Sequence, residues 1–306
     1  MRLKALSRYG ADTETRYGDC ILLYDRESLV VYDCGHEKHA EEVVKFLRNN
    51  SSINKISIVV SHNDSDHING IEKLLFYLKV EGCSITVFTS LYLKSTQKML
   101  ELLDDERRTP KATREHILEI FDNIKKIVDK ATEYEFTVEN ATIDTVVDTS
   151  CSIVGPVEDD FIAVVARAIE NEGTGQIDGE TVKNAASIQL RCESDNGRNI
   201  LLCGDASPDY LPDLSDYLVV QLPHHGKLSS AKAIFGKIEQ NRMGNYTFLV
   251  SDNTGNTNGG SNDLQTSDLR IGKDIMNTNY GNPVEIGEKK KFATVTDARK
   301  SYGLWL

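Results

Sequence analysis

Four side chains between positions 62 and 67 could hold a divalent cation: His62, Asp64, Asp66 and His67. Imidazole and carboxylate are the donor types that bind zinc, manganese and magnesium. Asn, Ser and Gly in the surrounding run, SHNDSDHING, also form turns, but turn chemistry does not call for two histidines. The run follows ISIVV at 56–60, which reads as a buried strand.

Two later segments repeat this grammar of an apolar strand that ends in ligand-type residues. NILLCGD ends in Asp205, and YLVVQLPHHG ends in His224 and His225. Four of the seven histidines therefore lie in two such segments. Strand ends hold loops rigidly, which is what a metal site needs. Two divalent ions about 3.5–4 Å apart can polarise a scissile group and hold a hydroxide between them. In an extended loop, His62 and Asp64 would point the same way and serve one ion. Asp66 and His67, being adjacent, would point to opposite sides and address the other. Asp205 would bridge the pair, and His225 would close the second position.

The elements that must carry these residues follow an α/β pattern. RLKALS, DCILLYD and SLVVYDCG read as three early strands, with a hairpin turn at Arg26-Glu27-Ser28. A helix is predicted over 37–49, then the strand at 56–60, a helix near 70–80 and a strand at 84–90. Residues 95–131 are charged and helical, interrupted at Thr109-Pro110. Their second part has an apolar stripe through Ile117, Ile120, Phe121, Ile124 and Val128, with His116 exposed beside it. Residues 92–132 thus read as a helical insertion that either shapes a substrate cleft or packs. Strands resume at 134–138, 142–148 and 151–155, followed by a Gly-rich loop at 171–180. A hairpin over 187–205 and the strand at 217–222 come next, then a helix at 229–240 and a strand at 245–251. A polar stretch at 252–262, a helix at 264–276 and a strand near 292–297 complete the chain. The two strand-rich parts suit two similar halves of one domain spanning 1–306, extended from about 252 onward.

Bulk properties narrow the partners. A chain of 306 residues that is 40% apolar can bury a sizeable core. Its longest apolar run, FIAVVARAI, is too short to span a membrane and contains Arg167. The N-terminal residues show no secretory pattern. The six scattered cysteines lack a C-x-x-C pair and predict reduced thiols in a cytoplasmic protein. A net charge of −12 argues against a broad grip on nucleic acid, and small basic clusters such as Lys289–Lys291 read as solvated.

With these motifs in place, the chain resembles the metallo-β-lactamase superfamily over roughly residues 15–250. That family carries a His-x-His-x-Asp-His loop, a later Asp at a strand end and a last His near a Gly. His62, Asp66, His67, Asp205 and His225 match those positions, and YGDCILL with VVYDCG is similar to the opening hairpin. The resemblance implies a four-layer αββα sandwich with one or two bound divalent ions, Zn, Mn or Mg. It also implies a supporting role for Asp33.

The chain departs from the family at the loop's second His, which is Asp64, and at the middle His, where Asn184 stands in KNAASIQLRC. Both departures make one side of the site richer in oxygen, which favours Mn²⁺ or Mg²⁺. With Pro223-His-His-Gly226, they resemble the branch that holds the soluble hydrolase domain of bacterial competence (DNA-uptake) channel proteins. There the family's Ser is replaced by Lys227. That branch implies phosphodiester hydrolysis, with nucleic acid or a nucleotide as substrate. Asp66, His224 and Lys227 are then the catalytic candidates, with His224 or Lys227 donating to the phosphate or leaving group. Lys227 reads equally as a solvated loop lysine. Two alternatives stay open: hydrolysis of another ester, thioester or lactone, and a non-catalytic metal-binding subunit docking through the helical insertion.

Overall fold

Every central strand alternates between two apolar faces, so each of its sides must be covered. In the computed structural model, β2 (Ile21–Tyr24) sends Ile21 and Leu23 into one core and Leu22 into another. Its neighbour β3 (Ser28–Tyr32) sends Val30 and Tyr32 to the first of these cores, and Leu29 and Val31 to the second. In the second half, β12 (Asn199–Leu202) shares Ile200 and Leu202 with the central core and sends Leu201 to a third. The result is the predicted sandwich of helices, sheet, sheet and helices. The structure describes residues 1–6, 18–90, 121–170, 176–177, 180–181, 184, 187–251, 262–278 and 283–286.

The first sheet has seven strands in the order β16-β1-β2-β3-β4-β5-β6. It adds β1 (Arg2–Ala5), β4 (Lys55–Val59), β5 (Ile85–Thr89), β6 (Thr137–Asn140) and β16 (Val284–Ile286) to the two strands above. The second sheet runs β15-β14-β13-β12-β11-β8-β7. It comprises β7 (Val146–Asp148), β8 (Cys151–Gly155), β11 (Gln189–Glu193), β12, β13 (Val219–Gln221), β14 (Thr247–Val250) and β15 (Asp274–Asn277). A small hairpin, β9 (Gln176–Ile177) and β10 (Glu180–Thr181), stands apart. Each sheet is antiparallel on one side and parallel on the other. The pairs β3·β4, β4·β5 and β5·β6 match β12·β13, β13·β14 and β14·β15. The two halves are therefore alike in topology.

Helices α1 (Glu37–Asn49), α3 (Ile71–Val80) and α4 (Asp122–Glu133) cover the first sheet, joined by Phe161, Ile162 and Val164 of α5 (Glu158–Glu170). A one-turn helix, α2 (Ser65–Ile68), lies between β4 and α3. On the second sheet, α6 (Leu228–Lys237) and α7 (Asn262–Thr266) close the outer core. Among the described residues, no helix is long and apolar enough to cross a membrane.

Several expectations change. The helix expected over 264–276 stops at Thr266, and residues 274–277 pair in parallel with β14. Gly272, at φ +73°, turns the chain between them and blocks helix continuation. The second part of the helical insertion, α4, is the crossover between the parallel neighbours β5 and β6, so it belongs to the core layer. The expectation of six reduced thiols is corrected as well: Cys151 and Cys192 form a disulfide. They sit directly opposite each other on the antiparallel strands β8 and β11. A sequence separation of 41 residues hides that register. The helical stretch 95–120 with His116, the Gly-rich residues 171–175, the polar stretch 252–261, Lys289–Lys291 and the strand near 292–297 lie outside the described residues.

Candidate metal centre

The ligand-type residues gather at one edge of the sandwich, where the parallel strands end. Asp33 follows β3, His62 follows β4, Asp205 follows β12, and His225 follows β13. Asp19 joins them because β2 runs antiparallel and begins at the same edge. Two links fasten the halves here. The Tyr32 hydroxyl donates to the Ile188 carbonyl at 2.6 Å, and the Ile188 N–H donates to the Ser61 carbonyl at 2.8 Å.

The loop is extended at Asp64 and turns helical only from Ser65 onward, with the Asp64 carbonyl accepting from the His67 N–H at 3.0 Å. Tight packing places it. A Cβ on Gly18 or Gly35 would lie 1.1 or 1.9 Å from the Asp66 carbonyl oxygen, so both positions admit only glycine. Asn63 ties the other side, its Oδ1 accepting from the Ile124 N–H of α4 at 3.1 Å.

The structure fixes which ring nitrogen each histidine turns inward. Ser61 Oγ–H donates to Asp33 Oδ2 at 2.6 Å, so its oxygen must accept from His62 Nδ1–H at 2.9 Å. His67 Nδ1–H donates to the same Asp33 oxygen at 2.8 Å. His225 Nδ1–H donates to the Ser251 carbonyl at 3.0 Å, with Asp19 Oδ1 at 3.2 Å. All three rings therefore direct Nε2 into the site. His67 Nε2 lies 3.4 Å from Asp205 Oδ1, and His62 Nε2 lies 3.8 Å from Asp205 Oδ2. His225 Nε2 meets Asp66 Oδ2 at 2.9 Å.

His62 Nε2, His67 Nε2 and Asp205 Oδ1 are buried and form no well-made hydrogen bond. Burial of such groups is costly unless something coordinates them. His62, His67 and Asp205 offer ligand atoms that all lie within 4.8 Å of one another, as do Asp19, His67 and His225. Asp19 touches the Nδ1 side of His225, so it orients the ring while Asp66 faces Nε2. The donor set fits a divalent ion.

Of the other sequence candidates, Asp64 has its Oδ2 3.9 Å from His62 Nε2 and its side chain partly open to solvent. His224 brings Nδ1 to 3.2 Å from Asp205 Oδ2. It shares with His225 a left-handed backbone, φ 56° and 54°, a conformation that costs a non-glycine residue about 1–2 kcal/mol. Asn184 is buried before β11, and its carbonyl accepts from the Ser187 N–H and Oγ. Ser187 Oγ in turn accepts from the Asp205 N–H at 3.3 Å, so this segment braces the Asp205 backbone. Lys227 follows the left-handed turn, its N–H donating to the His224 carbonyl. Sequence reasoning gave no role to Ser61, Asp19 or Gln221. The signal available was a polar residue at an apolar strand end, visible in Gly18-Asp19-Cys20 and Val-Gln221-Leu.

Charge completes the site. Burial opposes charging of His67 and His225, but Asp205, with Asp33 for His67 and Asp19 and Asp66 for His225, raises both well above 6.5. Burial and the neighbouring His67 lower His62. Burial works against ionised Asp205 and Asp66, yet the imidazoles hold both below the usual carboxylate range. Without metal, protons on His67 and His225 therefore stand where an ion would bind.

The sign of the pH dependence follows. The stability from raised imidazoles is full below about 6.5 and is lost as pH rises through their folded values. The stability from depressed carboxylates is present above about 3.8 and is lost as pH falls through theirs. The metal-free protein is thus expected to be most stable between these limits. Metal affinity should instead rise with pH above 6.5, with release of up to about two protons per binding event. Calorimetry of Mn²⁺ binding in buffers of different ionisation enthalpy reads that proton count. An affinity independent of pH between 6 and 8 would contradict protonated imidazoles at His67 and His225 in the metal-free protein.

The fold and site now have a family. The model of the metallo-beta-lactamase superfamily matches residues 13–242, and the chain belongs to that superfamily, whose members are in general metal-dependent hydrolases. The metallo-beta-lactamase fold protein YhfI from Bacillus subtilis is similar in structure, with a TM-score of 0.50 at 10% identity, over 93% of this chain and 98% of that one. Human tRNase Z, short form, aligns with a TM-score of 0.40 at 12% identity, over 93% of this chain and 98% of that one. At these identities the likeness concerns the fold. No curated protein matches the chain by sequence.

Proposed function

We propose that this chain is a metal-dependent phosphodiesterase, with a nucleic acid or nucleotide as substrate, resembling the hydrolase domain of competence channel proteins. The observation that carries the reading is the oxygen-rich side of the site. Asp64, which stands where the family pattern has the loop's second imidazole, lies 3.9 Å from His62 Nε2, and Asp205 lies 3.8 Å from the same nitrogen. Hard ions such as Mn²⁺ and Mg²⁺ suit carboxylate-rich sites and phosphoryl oxygens alike. When bound, one or two such ions would polarise the phosphoryl group and activate a water.

The chain's own residues do the rest. His62, Asp64, Asp66, His67, Asp205 and His225 would hold the ions, with Asn184 bracing the Asp205 segment. His224, half-exposed beside Asp205, would donate a proton to the leaving oxygen, and Lys227 would meet the phosphate charge. The acidic surface, net −12, favours a short oligonucleotide or nucleotide over a long duplex. A protein partner on the 92–132 segment accompanies this reading.

Hydrolysis of bis(p-nitrophenyl) phosphate tests it. Activity should require Mn²⁺ and fall more than about 100-fold in Asp66→Ala, beyond the loss typical of a residue that only orients a ligand. Turnover of thioesters or lactones in place of phosphodiesters would overturn the substrate class. Metal-loaded protein that hydrolyses no ester would instead identify a metal-binding subunit.

A further inference from the structure

We propose that Asp19, from the first half, and Gln221 form a positioning link that locks His225 to the strand end carrying Asp205, so that these two ligands of the second half keep one fixed mutual geometry. The inference rests on the metal-binding part of the reading above and is independent of the phosphodiester part.

Asp19 belongs to the first half, just before β2, and Gln221 is the last residue of β13 in the second. Both are buried. A glutamine inside a sheet is costly unless its amide is bonded. Here Gln221 Oε1 accepts from the N–H groups of Cys203 and Gly204, at 3.0 and 3.2 Å, immediately before Asp205. Two donors facing one atom identify that atom as the oxygen, and this directs Nε2 toward Asp19. Nε2 donates to Asp19 Oδ2. The other Asp19 oxygen stands 3.2 Å from His225 Nδ1. One chain of contacts therefore runs from the Asp205 strand end through Gln221 and Asp19 to His225.

Position 221 needs an acceptor on one side and a donor on the other. A carboxylate would face Asp19, and an aliphatic side chain would strand two N–H groups and one carboxylate oxygen. His225 needs such a hold because it lies in a left-handed turn, φ 54°, where its own backbone does not favour the geometry. Fixing the outer nitrogen of a ligating histidine sets both its tautomer and its aim.

The test reads Mn²⁺ affinity by chelator competition. Gln221→Glu sets two carboxylates against each other and should weaken binding by about 10–100-fold. Combining it with Asp19→Asn reverses donor and acceptor across the link. The new amide at 19 donates to the new carboxylate at 221 and still accepts from His225 Nδ1–H. Binding in the double variant should recover most of the loss. Unchanged affinity in Gln221→Glu, or a double variant no tighter than the single, overturns the link. If Gln221→Glu does not fold, the ¹⁵N–¹H signal of the His225 ring decides. That Nδ1–H also meets the Ser251 carbonyl, so the readout is its change in Asp19→Ala: faster exchange with a shifted signal supports the link, and an unchanged signal overturns it. Wild-type protein that binds no Mn²⁺ would sink the metal reading, while the ring signal would still report on the link.

Discussion

Asp33→Ala is expected to cost about 3–5 kcal/mol, close to the whole margin of many domains. Asp33 is fully buried and serves three donors. Its Oδ1 takes the Ser61 N–H at 2.7 Å, and its Oδ2 takes Ser61 Oγ–H and His67 Nδ1–H. Alanine leaves those donors unsatisfied and His67 buried beside no compensating charge on that side. The backbone adds to the cost, since Asp33 sits at φ 60°. Urea unfolding of the metal-free protein measures the loss. Asp33→Asn, which keeps one acceptor but turns an amide toward Ser61 and His67, should fall between the two. A loss below about 1 kcal/mol for alanine would mean that water replaces the carboxylate, contrary to its burial.

The second large effect belongs to Asp205. Asp205→Asn should lower metal affinity by more than about 100-fold in a metal-free protein that still folds, since the amide keeps the volume, but with a smaller stability margin because buried His67 and His225 lose a partner charge. His67 and His62 approach different oxygens of this carboxylate, and His224 shares one of them. The substitution has an internal check. Asp205 is the first charge that raises His67 and His225 against their burial. Its loss should bring both imidazoles down toward their ordinary value, so that fewer protons leave when metal binds near neutral pH. Unchanged proton release together with unchanged affinity would place Asp205 outside the centre.

The apolar periodicity of the strands made most of the fold legible. ILLY and SLVVY alternate between two cores, and that alternation demands two covered faces. Helix 37–49 was equally plain, because Val43 and Val44 are buried while Glu37 and Arg48 suit the charges of its ends. What sequence reasoning missed depended on pairing across long separations. Residues 274–277 look helical until β14 supplies a parallel neighbour, and Cys151 meets Cys192 only through the register of β8 and β11.

The site divides in the same way. The residues that turn inward have distinctive types at strand ends, so His62, Asp66, His67, Asp205 and His225 could be read in order. The residues that aim them are common types whose meaning is positional. Ser61 matters because its single proton goes to Asp33 and leaves its oxygen for His62. Gly18 and Gly35 matter because the Asp66 carbonyl fills the space of a side chain. Neither fact has a signature in a single sequence.

Metal content after purification without added metal, followed by Mn²⁺ and Zn²⁺ titration, tests the centre itself. Saturable binding of one or two ions, abolished by Asp205→Asn and accompanied by proton release, is the expected result. Less than about half an equivalent at saturation, with the protein folded, would contradict it, because a preformed donor set of this kind should fill when metal is supplied.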